Sequence, residues 1–174
     1  MKHLTLILLL FMTCAWVQAP EDDRGYIVKV GDKAPDIELI FPDGIKKQLK
    51  DLKGKIVMLQ FTASWCGVCR KEMPFIEKDI WLKHKDNPDF VLYGIDLKES
   101  KEVVKKFAKE TGITYPLLLD PEGKAFYSFA AKGAGVTRNV IIDKEGKIVY
   151  LTRLYEPKEF EEMTKVIDDL LKKK

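Results

Sequence analysis

Apolar and polar positions fall along this chain in blocks whose period switches between two and about four. Ile37-Glu38-Leu39-Ile40 alternates like a short strand, Pro42-Asp43-Gly44 carries turn chemistry, and Ile45–Leu49 returns as the second arm of a hairpin. The run from Ile56 to Phe61 is nearly all apolar, the pattern of a strand covered on both faces. Phe75, Ile76, Ile80 and Trp81 then recur on one helical face, with Pro74 expected to kink the helix because it lacks a backbone donor. Phe90–Ile95 reads as a second buried strand, ending in Asp96. Ser100 caps a helix whose apolar face is Val103, Val104, Phe107 and Ala108, and Thr111-Gly112 stops it. Tyr115–Leu119 predicts a short strand, Asp120-Pro121-Glu122-Gly123 a turn, and Ala125–Ala131 a short helix whose Phe126, Tyr127 and Phe129 read as core. Asn139–Ile142 and Ile148–Thr152 flank a turn as an antiparallel pair. Glu156-Pro157 opens the last helix, buried along Phe160, Met163, Ile167, Leu170 and Leu171. Strands alternating with helices, then a hairpin and a final helix, predict an α/β domain: a mixed central sheet flanked by helices, with an N-terminal β-hairpin extension.

The first residues follow a different pattern. Lys2 and His3 precede an apolar run, Leu4 to Met12, too short to span a bilayer, and small or mixed residues follow to Ala19. This is the layout of a secretory signal peptide over residues 1–19. Phe11-Met12-Thr13-Cys14 also allows a lipid anchor through Cys14. Residues 20–29 read as a linker with a first ordered contact among Tyr26, Ile27 and Val28, leaving 30–174 as one domain. An exported protein of the periplasm or cell envelope is the expectation.

Charge adds little. Lys and Arg number 30 against 27 Asp and Glu, a net charge of +3, and so small an excess gives no reason to expect a nucleic-acid partner. Monomer is the default.

Candidate chemistry gathers at Cys66 and Cys69. They lie two residues apart where the apolar strand gives way to the helical pattern. Backbone N–H groups and the positive dipole end of a helix favour a thiolate, the form that attacks disulfides. We read Cys66 as nucleophile and Cys69 as the thiol that closes a ring and expels the bound partner. The third cysteine, Cys14, falls in the leader, and the histidines are His3, in the leader, and His84, read as a surface residue. A zinc site needs four ligands, so no metal and no other cofactor is expected. A C-x-x-C that opens a helix in an α/β pattern reads as a thioredoxin-like redox motif.

The flanks make the motif specific. The run from Phe61 through Trp65-Cys66-Gly67-Val68-Cys69-Arg70-Lys71-Glu72-Met73-Pro74 resembles the W-C-x-x-C-R-x-E-x-P signature of the ResA/TlpA-like thiol–disulfide oxidoreductases, in the thioredoxin superfamily. Val30-Gly31-Asp32-Lys33-Ala34-Pro35 resembles the family's opening, and Gly135–Asp143 with Gly146-Lys147-Ile148 its closing strands. The resemblance implies a thioredoxin-like fold and a dithiol enzyme that reduces disulfides in protein substrates and is itself fed by a membrane thiol electron donor. It places Cys66, Cys69 and Glu72 in the chemistry, Glu72 as a partly buried carboxylate that moves a proton. Trp65, Gly67, Val68, Val136, Thr137 and Arg138 would face the substrate.

This chain departs from the family pattern in three places. Val68 stands where the family has proline before the second cysteine. Gly135-Val136-Thr137-Arg138 puts Thr137 where a cis-proline is expected, and because a cis bond before any other residue is costly, a trans peptide is predicted there. Gln60 stands where thioredoxin has a buried acid. Three other readings are weighed. A peroxiredoxin-type thiol peroxidase would need proline and Thr or Ser where Leu59 and Ala63 stand. A copper chaperone would need a different cysteine spacing and a distal histidine. A binding module with an incidental disulfide needs neither.

Overall fold

A computed structural model of the chain describes residues 24–172. The leader, with His3, Cys14 and the cut after Ala19, lies outside the described residues. Among the described residues, seven strands form one sheet in the order β2-β1-β5-β4-β3-β6-β7. They are β1 (Glu38–Ile40), β2 (Lys46–Gln48), β3 (Ile56–Thr62), β4 (Phe90–Leu97), β5 (Leu117–Asp120), β6 (Arg138–Ile142) and β7 (Ile148–Arg153). β3, β4 and β5 run parallel, joined by crossover helices, whereas β6 lies antiparallel to β3 and β7 turns back beside β6. The sheet is mixed, as the alternation of periods implies. β3 sits between β4 and β6, which is why its run is buried at every position.

The helices take both faces. α1 (Gly67–Ile76) leads into a π-helical turn, Glu77–Trp81, and a short α2 (Leu82–His84). α3 (Lys101–Thr111) and α5 (Pro157–Lys172) flank α1: Arg70 of α1 lies over the Phe107 ring, and Phe75 packs edge-on to Phe160. α4 (Lys124–Tyr127) covers the other face, where Phe61 meets Phe126 and Phe129. Ser100 accepts from the Val103 N–H at the start of α3, and Gly112 ends that helix with φ +70°, a conformation only glycine takes readily.

Several boundaries differ from the periodicity, each through a tertiary contact. Pro74 stays within α1, and the irregular turn follows it: Glu77 is buried there and its carboxylate accepts from Thr114 N and Oγ1. The predicted helix over 125–131 stops at Tyr127, because Ala130 bridges Tyr26 and the Phe129 carbonyl accepts from Ile27 N–H. Tyr26, in the segment read as a linker, is buried and donates to the Thr152 carbonyl. His84 is half-buried, with Nε2 2.7 Å from Asp168 Oδ1 and its ring edge-on to Phe90, which corrects the surface reading.

Candidate active site

Cys66 is the N-cap of α1. Its backbone is extended, its Sγ accepts the Cys69 N–H at 3.1 Å, and its carbonyl accepts the Arg70 N–H. The helix therefore opens on the first cysteine, as the pattern implies, and one unpaired amide of its first turn points at that sulfur. Cys66 and Cys69 are disulfide-bonded, with Cα atoms 5.3 Å apart. Cys66 keeps 7% of its surface and Cys69 none, so an approaching sulfur meets Cys66 first.

Around this pair the structure divides the predicted substrate-facing residues. Trp65, Gly67 and Val68 are exposed, Trp65 by 66%. Val136, Thr137 and Arg138 are buried, Val136 to about the same degree as Cys66. The peptide between Val136 and Thr137 is cis, contrary to the trans bond predicted from local preference. Flanking contacts fix the path of this segment: Arg138 pairs with Phe61 across the β3–β6 ladder, and the Thr137 carbonyl accepts from Leu154 N–H. Thr137 Oγ1 lies 2.7 Å from Cys69 Sγ and 3.3 Å from Cys66 Sγ; as the disulfide sulfurs carry no hydrogen, the hydroxyl is the donor. Arg138 turns the other way. Its guanidinium donates to the carbonyls of Gly135 and Arg24 and stacks 4.5 Å over the Tyr26 ring.

The loop leading to Cys66 is held from the segment between β4 and α3. Glu99 accepts both the backbone N–H and the hydroxyl of Ser64, at 2.5 and 2.6 Å. Asp96, paired with Thr62 across the ladder, is fully buried; burial and the nearby Glu99 carboxylate push it up to about 8.

Beneath the sulfurs is a polar layer between α1 and the sheet. Glu72, one turn beyond Cys69, is only 1% exposed, more deeply buried than the partly buried carboxylate expected. Gln60 and Asn139 pair across β3 and β6, so their side chains share the face under α1. Gln60 Nε2 donates to Glu72 Oε2 at 3.1 Å and Asn139 Nδ2 to Oε1 at 2.7 Å. Burial raises the Glu72 carboxyl to about 7, and the two amide donors hold it from going higher. A group balanced so near neutrality can both accept and return a proton. Tyr115 and Asn139, which complete this layer, escaped sequence reasoning. The one available signal was an amide, Gln60, inside an otherwise apolar strand; the β3–β6 register that sets Asn139 beside it is a long-range pairing. Among the described residues no three His, Cys, Asp or Glu side chains group as metal ligands.

Comparison with known proteins agrees with this geometry. A family model described as Redoxin matches residues 29–167. The chain is 38% identical over 97 residues to the thioredoxin-like protein YneN of Bacillus subtilis, covering 55% of this chain and 56% of that one. It is 35% identical over 127 residues to the thiol-disulfide oxidoreductase ResA of Oceanobacillus iheyensis, covering 71% of this chain and 65% of that one. The chain thus spans somewhat over half the length of each. A solution structure from Bacteroides thetaiotaomicron, described as a candidate protein disulfide isomerase, superposes with a TM-score of 0.82 at 61% identity, over 86% of this chain and 94% of that one. The family match takes in every strand given above together with Cys66 and Cys69, and the chain belongs to the Redoxin family, with a thioredoxin-like fold.

Proposed function

We propose that this protein is an exported thiol–disulfide oxidoreductase that reduces disulfides in proteins of the cell envelope. The observation that carries the reading is the Cys66–Cys69 disulfide at the N-terminus of α1, in which Cys66 keeps 7% of its surface and Cys69 none, the inner sulfur lying beside Thr137 one turn before Glu72. In the reduced protein, the Cys66 thiolate attacks one sulfur of a partner disulfide. A mixed disulfide forms, and the partner's other sulfur leaves as a thiolate and takes a proton. Cys69 passes its proton to the Glu72 carboxylate and attacks Cys66 Sγ. The second partner sulfur leaves and is protonated in turn. The partner gains two electrons, and the Cys66/Cys69 pair loses them.

Helix-end amides stabilise the Cys66 sulfur as attacking and as leaving group alike. The Thr137 hydroxyl can donate to charge building on either sulfur. Exposed Trp65, Gly67 and Val68 form the rim against which the partner's chain lies. A dithiol needs no bound cofactor, and the oxidised pair returns to the dithiol by exchange with a membrane thiol donor. The relatives named as a thiol-disulfide oxidoreductase and a candidate disulfide isomerase support this chemistry. The reading of residues 1–19 as a signal peptide, cut after Ala19 or else leaving Cys14 as a lipid anchor, is what supports export, and 30–174 is read as a single monomeric domain.

The test is trapping. The full chain carrying Cys69→Ala cannot resolve its mixed disulfide, so envelope proteins should be recovered linked through Cys66. No adduct in the envelope fraction, with the variant folded and exported, would sink the proposal.

A further inference from the structure

Tyr115 takes no part in the exchange steps above, yet its phenol is buried and ends in the polar layer under α1. Its hydroxyl lies 2.6 Å from Gln60 Oε1. A phenol has one hydrogen to give. Given to Gln60, it fixes the amide with its oxygen toward Tyr115 and its NH2 toward Glu72 Oε2, 3.1 Å away. Asn139 supplies the second N–H, to Glu72 Oε1, and gives its other hydrogen to Thr152 Oγ1 at 2.8 Å. Both oxygens of Glu72 therefore receive hydrogens.

We propose that Tyr115 is a positioning residue: by donating to Gln60 it keeps the amide NH2 toward Glu72 and so favours the carboxylate over the carboxylic acid. The flipped amide would present its oxygen to Glu72 and suit the protonated acid, which could donate to it. Tyr115 would then face an NH2, and its hydrogen would have no acceptor in a buried site, an arrangement that costs about 1–3 kcal/mol. The backbone makes room for this contact. Gly94 pairs with Gln60 on β4, and a Cβ there would fall 2.2 Å from Leu117 Cδ2 and 3.3 Å from Tyr115 Cε2. Its lack of a side chain is what lets the phenol and Leu117 close over Gln60.

The charged groups around Glu72 do not perform this task. Cys69 precedes it on α1. Glu159 of α5 opposes a second negative charge and is itself ion-paired with Arg24. Glu77 of the π-helical turn acts, with Glu72, against ionisation of Tyr115. The two amides are what favour the carboxylate, and Tyr115 orients one of them.

The functional weight of this inference rests on Glu72 as proton acceptor, but its test does not. The titration of the Glu72 side-chain carboxyl is followed by 13C NMR in the oxidised protein. In Tyr115→Phe the midpoint should rise by about one pH unit, tenfold in proton affinity. Thr62→Val deletes a buried hydrogen bond under α1, to Met73 Sδ at 3.7 Å, without touching either amide, and should leave the midpoint within a few tenths. An unmoved midpoint in folded Tyr115→Phe, or an equal rise in Thr62→Val, overturns the inference. If Tyr115→Phe does not fold, Gln60→Met serves: it removes the oriented amide, and a midpoint that fails to rise is equally contradictory. The pH profile of thiol exchange separates the two readings. A midpoint that moves while the exchange profile stays put supports the positioning role and removes Glu72 as proton acceptor.

Discussion

Trp65, Gly67 and Val68 stand out into solvent on one side of the cysteine pair, whereas Gln60, Glu72, Tyr115 and Asn139 lie buried on the other. The rim has an exposed indole and little polar chemistry of its own. The floor has a carboxyl, two amides and a phenol whose places are fixed by hydrogen bonds. Each suits one half of a disulfide exchange. The rim can be lost without disturbing the fold, because an exposed side chain adds little to stability. The floor cannot, because every buried polar group there depends on its neighbour. On the proposed function, contact with a partner falls to the surface and proton handling to the core, with the disulfide as the boundary.

Substitutions on either side of that boundary sharpen the contrast. The largest effect is at the boundary itself: Cys69→Ala should abolish turnover in a disulfide-reduction assay while leaving single attack by Cys66 intact. Next is Glu72→Gln, expected to slow resolution of the mixed disulfide about tenfold to a hundredfold near pH 7, read by stopped-flow. It should also change how stability follows pH. Glu72 titrates at 4.5 in the unfolded chain and at about 7 in the fold. Below 4.5 both states are protonated. Between 4.5 and 7 the native state keeps a proton that the unfolded chain has released, so stability falls as pH rises, and above 7 the loss is complete. Urea unfolding of oxidised Glu72→Gln should therefore show a flatter decline over that window, the remainder belonging to Asp96, raised from 3.8 to about 8, and to Asp120, raised by burial. Equal slopes in the two proteins would mean that Glu72 is not balanced near neutrality.

Thr137→Val removes the hydroxyl between the sulfurs and keeps the shape. Losing one hydrogen bond of about 1 kcal/mol should change the exchange rate roughly fivefold, measurable with a small aromatic disulfide. The smallest effect on the fold is Trp65→Ala, within about 0.5 kcal/mol of stability, with the loss appearing in KM for a protein substrate. A large loss of stability there would make Trp65 part of the core and erase the distinction between rim and floor.

Much of the architecture was legible in local pattern. The continuous run of β3, the cap at Ser100, the stop at Gly112 and the Cys66 helix opening each follow from residue types a few positions apart. What escaped depends on pairing between distant strands. Thr137 was legible as standing at the family's cis-proline position, but local cost argued for a trans peptide before it, and the fold holds a cis one. Arg138 was placed toward substrate because it follows Thr137; strand alternation instead sends it to the opposite face, over Tyr26. Tyr115 was read into a strand that begins two residues later, at Leu117, and its hydroxyl reaches Gln60 of a different strand. Gln60 was noticed for the acid it replaces. That Glu72 supplies a carboxyl against this amide from the facing helix is a matter of packing, which no single segment encodes.

The central claim, that Cys66 and Cys69 form a reversible reducing couple, is tested most directly by their reduction potential, followed through Trp65 fluorescence in thiol buffers. The account predicts a two-electron couple near or below about −270 mV, the value for thioredoxin. A value near −120 mV, that of a strong oxidant, would contradict the reductase reading, and a disulfide with no reversible couple would contradict the redox assignment altogether.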